Sequence, residues 1–481
     1  MTKLTVAVVL TILAACLPST APSLEPSVAT GSLPPNVILI LTDDQVIGTL
    51  QKMPHVLDLV ARGISFRRAF VSNPLCCPSR ATILTGLSSG HTGVWTNGYG
   101  GNTVGGWRAF RSQGRNDDGS LFGGDGNNEG RTVALSLEQA GYATGLFGKY
   151  LNQFQTRAGD APPTPIGWTS WHSFLGGNGD YYDYLTDDNG VLHTHGKRTS
   201  DYSTDVFGDQ ARRFLRSPQI QGGTQPFFLY FAPFAPHTHM VPSPRDRDVR
   251  APRPFESPAY NERNVSDKPP YVRDRPLFGT RAHNKLRIEW DHAYGTLRSV
   301  DRWLGRFERV LPDPVRARTI FIFTSDNGYE WGDHRLDYKE YPYERSIRVP
   351  LIFAGPGIVP GVTAALVQNA DLTPTILDLA GLAGTGGPFD GSSLVPVLEG
   401  TGPAPHTGIL LEHLTTTYAP SYCGLRTARW TYVRYRDGFE ELYNLERDPN
   451  EMHNVATDHP RQRRQLARRT VAACVPAPPD W

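Results

Sequence analysis

The chain has 481 residues, more than one hydrophobic core normally needs, so its length predicts a large domain with a smaller one. Its net charge of +1 gives no indication of a nucleic-acid partner or of binding to an anionic membrane surface. The apolar fraction of 39% is that of a globular protein, and the 48 glycines and 40 prolines predict long surface loops.

The first residues have the pattern of an export signal. MTKLTVAVVLTILAAC has one lysine and then an apolar run, residues 4–15, that is shorter than a typical membrane-spanning helix. Residues 13–16, LAAC, resemble a bacterial lipobox, in which the cysteine is lipidated, and a plain secretory signal is the alternative. We predict an export signal with a lipobox over 1–16 and a Pro/Ser-rich tether over 17–35. The expected location is the cell surface as a lipoprotein, or otherwise secreted or periplasmic, where disulfides are permitted.

Apolar runs separated by segments of helix length predict an α/β fold with a mainly parallel sheet that helices cover on both faces. The runs expected to form buried strands are NVILILT from Asn36, TGLFG from Thr144, PFFLYFAPFAPH from Pro226, TIFIFTSDNG from Thr319 and VPLIFAGPG from Val349. Helical periodicity extends over 132–140, where Thr132 is the expected N-cap, over 292–311 and over 371–382.

Two long segments, 98–130 and 241–275, are predicted to be irregular loops at the rim of a site, with surface insertions as the alternative. After about Pro403 the pattern changes to short β-like runs, RWTYVRYR and ELYNLE, and then to RQRRQLARR, which is typical of a solvated helix face. Cys423 and Cys474 lie in this part and could form a disulfide. We place a catalytic domain over 36–400 and a small C-terminal domain over 401–481.

Polar residues directly follow four of the predicted strands. Since ligands of open parallel sheets bind beyond the carboxyl ends of the strands, these side chains are expected to meet at one edge. Turn chemistry would explain any one of them, but four together favour a site. They are Asp43 and Asp44, Lys149, His237, and Asp326 with Asn327.

The residue types indicate the chemistry. Oxygen ligands alone, from Asp43, Asp44, Asp326 and Asn327, suit a hard cation such as Ca²⁺ or Mg²⁺ and do not suit zinc. Cationic side chains nearby would oppose an anionic substrate group. They are Arg80, Lys149 and Lys339. The combination predicts hydrolysis of a phosphate or sulfate ester.

Cys76 and Cys77 are adjacent, and adjacent cysteines rarely bridge to each other. The loop that they open, CCPSRATILTG, resembles the signature of the formylglycine-dependent (type I) sulfatases, Cys-x-Pro-Ser-Arg followed by Ala-x-x-Leu-Thr-Gly. The resemblance implies that a separate formylglycine-generating enzyme oxidises Cys76 to formylglycine, and that Cys77 fills the variable position.

The resemblance extends from about residue 36 to about residue 456. The segment SDNGYEWGDHRLDYKEYPYERSIRVPLIF resembles the family's second metal segment, and it selects Lys339 as the substrate lysine. The implied fold is the alkaline-phosphatase-like α/β sandwich, a mixed and mainly parallel sheet between helices, with a smaller C-terminal α+β domain. The implied metal set is Asp43, Asp44, Cys76, Asp326 and Asn327.

The resemblance also implies roles in catalysis. One hydroxyl of the hydrated formylglycine attacks sulfur and expels the alcohol, with His237 or Lys339 assisting protonation, and the second hydroxyl then collapses to the aldehyde and releases sulfate. Arg80 would steady residue 76, while Lys149, His237 and Lys339 would hold the sulfate oxygens.

Several strings resemble the N-acetylglucosamine-6-sulfatase branch, namely LCCP, FGKYLN and YYDYLTDDNGVLHTHGKRTSDYSTDV. The implied substrate is a 6-O-sulfated N-acetylglucosamine unit of a glycan. Leu151 stands where many sulfatases have a histidine, and Asn152 is a polar substitute that could contact substrate. Ser89 and Gly90 replace a common Pro-His. His91 and His334 could compensate, but structural roles explain them as well, so neither is assigned.

Three alternatives stay open. The chain could be a phosphonate or phosphate monoester hydrolase on the same fold. It could be a non-catalytic glycan-binding surface protein with an intact thiol at residue 76. It could use Cys76 and Cys77 as a redox or metal-thiolate site, although the usual spacing for such a site is Cys-x-x-Cys.

Overall fold

The computed structural model describes residue 1 and residues 33–98, 105–116, 118–155, 162–177, 179–252 and 254–481. Apart from Met1, the predicted export signal and all of the predicted tether before residue 33 lie outside the described residues. Pro34–Trp481 form one compact unit, so the domain boundary near residue 400 stays a prediction. Within the described ranges, no helix has both the length and the apolar character needed to cross a membrane.

Sixteen strands form three sheets in the described part of the chain. The strands are β1 (Asn36–Thr42), β2 (Ile64–Phe70), β3 (Ala143–Gly148), β4 (Ser170–Phe174), β5 (Tyr184–Asp188), β6 (Val191–His195), β7 (Phe227–Ala232), β8 (Thr319–Ser325), β9 (Glu330–Trp331), β10 (Asp337–Tyr338), β11 (Leu351–Ala354), β12 (Gly361–Gln368), β13 (Ile409–His413), β14 (Tyr422–Arg426), β15 (Trp430–Tyr435) and β16 (Glu440–Asn444).

The α-helices vary from single turns to one of 31 residues. They are α1 (Pro54–Arg62), α2 (Cys76–Thr85), α3 (Ser89–Thr92), α4 (Gly106–Phe110), α5 (Val133–Gln139), α6 (Ser203–Leu215), α7 (Pro218–Gln221), α8 (Pro270–Arg273), α9 (Thr280–Val310), α10 (Asp313–Arg316), α11 (Glu344–Ile347), α12 (Leu372–Leu379), α13 (Val395–Leu398) and α14 (Pro460–Ala473). Short 3₁₀ turns lie at Phe122–Gly124, Asn128–Arg131, Thr199–Asp201 and Asn369–Asp371.

The large sheet has ten strands in the order β12-β2-β11-β8-β1-β7-β3-β4-β5-β6. Its five central strands, from β8 to β4, run parallel, which confirms the predicted mainly parallel sheet. The predicted strand after Val349 is β11, and it runs antiparallel to both of its neighbours. Residues 326–350 contain only short elements and no long crossover helix, so the chain re-enters the sheet from the edge that it left.

Side chains of the central strands alternate between two apolar layers, as the period of two in a strand requires. On β1, Val37, Leu39 and Leu41 pack in one layer, which contains residues of α2, α5 and α12. Ile38 and Ile40 pack in the other layer, which contains residues of α1, α6 and α9. Both faces of the sheet are therefore buried, and the polar residues that end the strands are confined to its edge.

The predicted helix over 132–140 is α5, and the Thr132 hydroxyl accepts the Leu135 backbone N–H at 3.3 Å as its N-cap. The helix predicted over 292–311 is α9, which begins twelve residues earlier, at Thr280. Its first three turns are largely polar and exposed, but Leu286 and Trp290 bury one face at a spacing of four.

The signature segment, interpreted from the sequence as a loop, is helix α2. Pro78 fits its first turn because no intrahelical hydrogen bond is needed there. Gly86 ends the helix in the left-handed region at φ 72°, and its N–H donates to the Thr82 carbonyl at 2.8 Å. Cys76 is thereby fixed at the start of a buried helix.

The C-terminal part contains the antiparallel sheet β13-β14-β15-β16 and helix α14. Leu466 of α14 packs with Leu425, Tyr432 and Leu442 of the sheet. Cys423 and Cys474 form the disulfide that the sequence left open, and it links β14 to the residue after α14.

We expect the Cys423→Ser, Cys474→Ser and double variants to lose the same stability, because each removes the same cross-link over a sequence separation of 51 residues. Loss of a cross-link of this length costs about 2–4 kcal/mol. Urea unfolding of the three variants measures it, and losses that add up in the double variant would contradict the disulfide.

Candidate active site

Four adjacent parallel strands, β8, β1, β7 and β3, bring the predicted polar residues together at their carboxyl ends. Asp43 and Asp44 follow β1 directly, and Lys149 follows β3. Asp326 and Asn327 follow β8, and His237 lies five residues beyond β7. All six are buried, so one edge of the sheet concentrates their charge away from water.

Cys76 faces this cluster from the first position of α2. Its Sγ lies 3.4 Å from Asp43 Oδ1, and Lys339 Nζ donates to the same sulfur at 2.8 Å. Both Cys76 and Lys339 are fully buried. The residue predicted to be modified therefore lies between a carboxylate and an ammonium group.

Salt bridges join the cations and carboxylates of the cluster. Lys149 Nζ lies 2.6 Å from Asp43 Oδ2, and Lys339 pairs with Asp44. Arg80 Nε lies 2.7 Å from Asp326 Oδ2, and Arg80 Nη2 lies 3.4 Å from Asp43 Oδ2. Three buried cations thus balance three buried carboxylates, as burial of charge requires.

The pKa values of two carboxylates in the cluster, Asp43 and Asp326, shift in opposite directions. Burial alone would raise the pKa of Asp43, but Lys149, His237 and Arg80 outweigh it and hold that pKa well below its usual range. Burial and the nearby Asp43 raise the pKa of Asp326 to about 6.

His237 approaches the cluster with one ring nitrogen. Its Nδ1 lies 2.5 Å from the Thr238 carbonyl, to which it donates, and its Nε2 lies 3.7 Å from Asp44 Oδ2. Burial lowers the pKa of His237 to about 4, so the ring is neutral at pH 7. This hydrogen bond assigns the proton to Nδ1 and leaves the Nε2 lone pair facing the cluster.

The Cys76 thiol is not activated. Burial and Asp43 raise its pKa to about 12, and burial also raises the pKa of Cys77 to about 12. A redox or thiolate site needs a lowered pKa, so the raised pKa values of both thiols do not favour that alternative.

The buried polar cluster at the sheet edge fits a metal ion. Ligand atoms of four buried residues lie within 4.8 Å of one another. They belong to Asp43, Asp44, Cys76 and His237. Asp44 Oδ2 and Asn327 Oδ1 are buried oxygens with no hydrogen-bond partner, and a hard cation would satisfy them. His237 joins the predicted ligand set here. Both oxygens of Asp326 accept protein hydrogen bonds, one from the Asp44 N–H and one from Arg80.

The positions that depart from the family pattern lie around α2. Leu151 packs in the apolar layer on the α2 side of the sheet. Asn152 is buried, and its backbone N–H contacts the Cys77 thiol. His91 pairs with Asp390 and His334 pairs with Glu262, each at 2.7 Å, so both histidines contact carboxylates outside the cluster.

A cavity of about 420 Å³ beside residue 76 was missed from the sequence. We call it the side cavity. Its lining includes Leu75, Asn97, Tyr338, Glu340, Thr416 and Tyr418. Tyr338 and Glu340 flank Lys339 and could have been noted for that reason, whereas Thr416 and Tyr418 reach the site only through the fold.

Comparison with known proteins identifies the family. The model described as Sulfatase matches residues 35–382, and the model described as N-sulphoglucosamine sulphohydrolase, C-terminal, matches residues 332–471. The chain belongs to the sulfatase family. This sulfatase is 33% identical to human N-acetylglucosamine-6-sulfatase, and the alignment covers 89% of this chain and 82% of the human protein.

Solved structures share the fold. A protein in complex with its substrate, D-glucosamine-2-N,6-O-disulfate, superposes with a TM-score of 0.74 at 23% identity, covering 91% of this chain and 97% of the other. The phosphonate monoester hydrolase of Agrobacterium radiobacter gives a TM-score of 0.66 at 22% identity, covering 91% and 95%. The sulfatase therefore has the predicted alkaline-phosphatase-like fold, and it hydrolyses sulfate esters.

Adding Ca²⁺ to chelator-treated protein is expected to raise the melting temperature, because a ligand bound only by the folded state stabilises it by about 2.7 kcal/mol at one hundred times its Kd. Mg²⁺ in parallel compares the two ions. Asp44→Asn should lose the shift, whereas Asp337→Asn, a half-exposed carboxylate outside the cluster, should keep it. An unchanged shift in Asp44→Asn would count against this ligand set.

Proposed function

We propose that this sulfatase removes the 6-O-sulfate from N-acetylglucosamine units of glycans, with formylglycine at residue 76. The observation that carries the proposal is the position of Cys76, whose sulfur contacts Lys339 and Asp43 inside a buried cluster that fits a metal. The similarity to the human 6-sulfatase across most of both chains supports the choice of substrate.

The metal-holding residues in this proposal are Asp43, Asp44, Asp326, Asn327 and residue 76, and His237 lies close enough to contribute. When bound, Ca²⁺ or Mg²⁺ would supply a positive charge that favours the ionised form of a hydroxyl on residue 76. Asp43 is ionised for this task because its cationic neighbours hold its pKa well below the usual range.

Lys149, His237 and Lys339 are proposed to contact the sulfate oxygens, and Asn152 to contact substrate beside them. Burial would lower the pKa of Lys339, but Asp44 and Cys76 raise it well above its usual value, so the ammonium stays charged. A fixed cation in a water-poor site stabilises charge that develops on the leaving oxygen and the sulfate. Arg80 donates to both Asp326 and the Lys149 carbonyl, and it is proposed to steady residue 76 and its neighbours.

The biological setting follows from the same proposal. The partners are a sulfated carbohydrate and a formylglycine-generating enzyme during maturation. The protein is proposed to be exported, with a lipid anchor at Cys16 as its only link to a membrane.

Peptide mass spectrometry across residues 71–80 of protein from its native host tests the modification. We expect an aldehyde at residue 76 and an unmodified Cys77, because the resemblance gives only the first cysteine to the modifying enzyme. An intact thiol at residue 76 would instead support a non-catalytic glycan-binding protein.

Lys339→Met should lower the rate of sulfate release by about a hundredfold or more, since one positioned charge is lost while the side chain keeps its length. Lys268→Met, which removes another fully buried lysine that pairs with Asp267, is the matched control and should keep its activity once folded. Melting curves establish folding, and near-normal rates in folded Lys339→Met would refute the role of this lysine.

The same enzyme preparations are assayed with a sulfate ester and with the matching phosphate and phosphonate monoesters. We expect the sulfate ester to be the best substrate. A higher kcat/KM on the phosphonate would favour the monoester hydrolase activity found on this fold.

A further inference from the structure

The side cavity is lined by residues that are next in the chain to Cys76 and Lys339. Leu75 precedes Cys76, and Tyr338 and Glu340 lie on either side of Lys339, whose ammonium contacts the Cys76 sulfur. The opposite wall comes from the loop between β13 and β14, through residues 415–418. Its volume of about 420 Å³ is within the range of small-ligand sites. A sugar whose sulfate reaches residue 76 would place its ring here.

Glu340 gives the side cavity its charge. Among the described residues that line it, Glu340 has the one carboxylate, and none is a lysine or an arginine. Its carboxylate accepts a hydrogen bond from the Thr416 hydroxyl. His413 Nε2 lies 3.5 Å away, but burial lowers the pKa of His413 to about 3, so this ring carries no positive charge to offset the carboxylate.

The backbone holds Glu340 in place. Its φ of 84° lies in the left-handed region, which a non-glycine residue adopts only when its surroundings enforce it. The Glu340 N–H donates to the Pro74 carbonyl at 3.1 Å, and the Tyr422 hydroxyl donates to the Glu340 carbonyl at 3.2 Å. The backbone of Glu340 is therefore held by both the segment before Cys76 and the small sheet.

Aromatic rings complete the wall. The rings of Tyr338 and Tyr418 stack at 4.2 Å between centroids with an interplanar angle of 20°. Stacked rings offer an apolar surface to the C–H face of a sugar, while threonine hydroxyls and the Glu340 carboxylate accept hydrogen bonds from its hydroxyl or amide groups.

We propose that the side cavity takes an uncharged sugar ring and that Glu340 excludes rings that carry a second anionic group. The inference rests on the proposed function, and it narrows the substrate to N-acetylated rings with a single sulfate, as opposed to N-sulfated ones. The physical reason is that a like charge placed beside a buried carboxylate lowers affinity, which makes repulsion a means of specificity.

The wild-type enzyme tests this directly. Burial raises the pKa of Glu340 to about 7, so assays at pH 8 keep the carboxylate charged. We expect kcat/KM to be at least tenfold higher for N-acetylglucosamine-6-sulfate than for D-glucosamine-2-N,6-O-disulfate, measured as release of the 6-O-sulfate. Equal values for the two sugars would overturn the inference without any variant.

Variants assign the selectivity to Glu340. Glu340→Gln should lower the ratio of the two kcat/KM values about tenfold, and Glu340→Asp, which keeps the charge, should largely preserve it. Asp337→Asn is the matched control, because it removes a carboxylate three residues away that does not line the side cavity. Its ratio should equal that of the wild type.

An unchanged ratio in folded Glu340→Gln would overturn the role of this residue. Failure of the proposed function has a different signature: an aryl sulfate would still be hydrolysed, but neither sugar would lose its 6-O-sulfate. That result would overturn the sugar as the occupant of the side cavity too.

Discussion

The site depends on the burial of three cations against three carboxylates at the end of the central strands. Arg80, Lys149 and Lys339 balance Asp43, Asp44 and Asp326, and their side chains have almost no contact with water. A divalent cation and a singly charged sulfate ester would together add one net positive charge. Ionisation of one hydroxyl on residue 76 would restore the balance, so the arrangement favours the nucleophile that the proposed reaction needs.

The charged residues meet because the strands that they follow are neighbours in the sheet, although these strands are not consecutive in the chain. β8, β1, β7 and β3 are neighbours in the sheet, although the residues that follow them are scattered between positions 43 and 327. Two apolar layers bury both faces of these strands, so the polar residues have only the edge to occupy. The strand pattern thus makes Asp43 and Asp326 predictable from sequence, because hydrophobic runs end where the polar residues begin.

Other parts of the site could not be predicted from the strand pattern. Lys339 follows a two-residue strand, so no periodicity marks it, and the resemblance to a family is what assigned it as the substrate lysine. His237 could be placed at the edge, but its tautomer depends on the Thr238 carbonyl, which a sequence does not locate. Glu340 and Thr416 are 76 residues apart, and the contact between them exists only because the small sheet packs beside the large one.

In the proposed complex, the consecutive residues Lys339 and Glu340 face the sulfate group and the sugar ring, respectively. Tyr338 and Glu340 both have positive φ values, 93° and 84°, so the chain around Lys339 does not follow a regular strand. Such conformations cost free energy in non-glycine residues, and at Glu340 a hydrogen bond to the Pro74 carbonyl and one from the Tyr422 hydroxyl offset that cost. In this conformation the Lys339 ammonium contacts residue 76, and Glu340 lines the side cavity. In the proposed complex, Lys339 of this strained segment would contact the sulfate and Glu340 would repel a second anionic group on the sugar. A change in the conformation of the segment would therefore affect both catalysis and the choice of sugar.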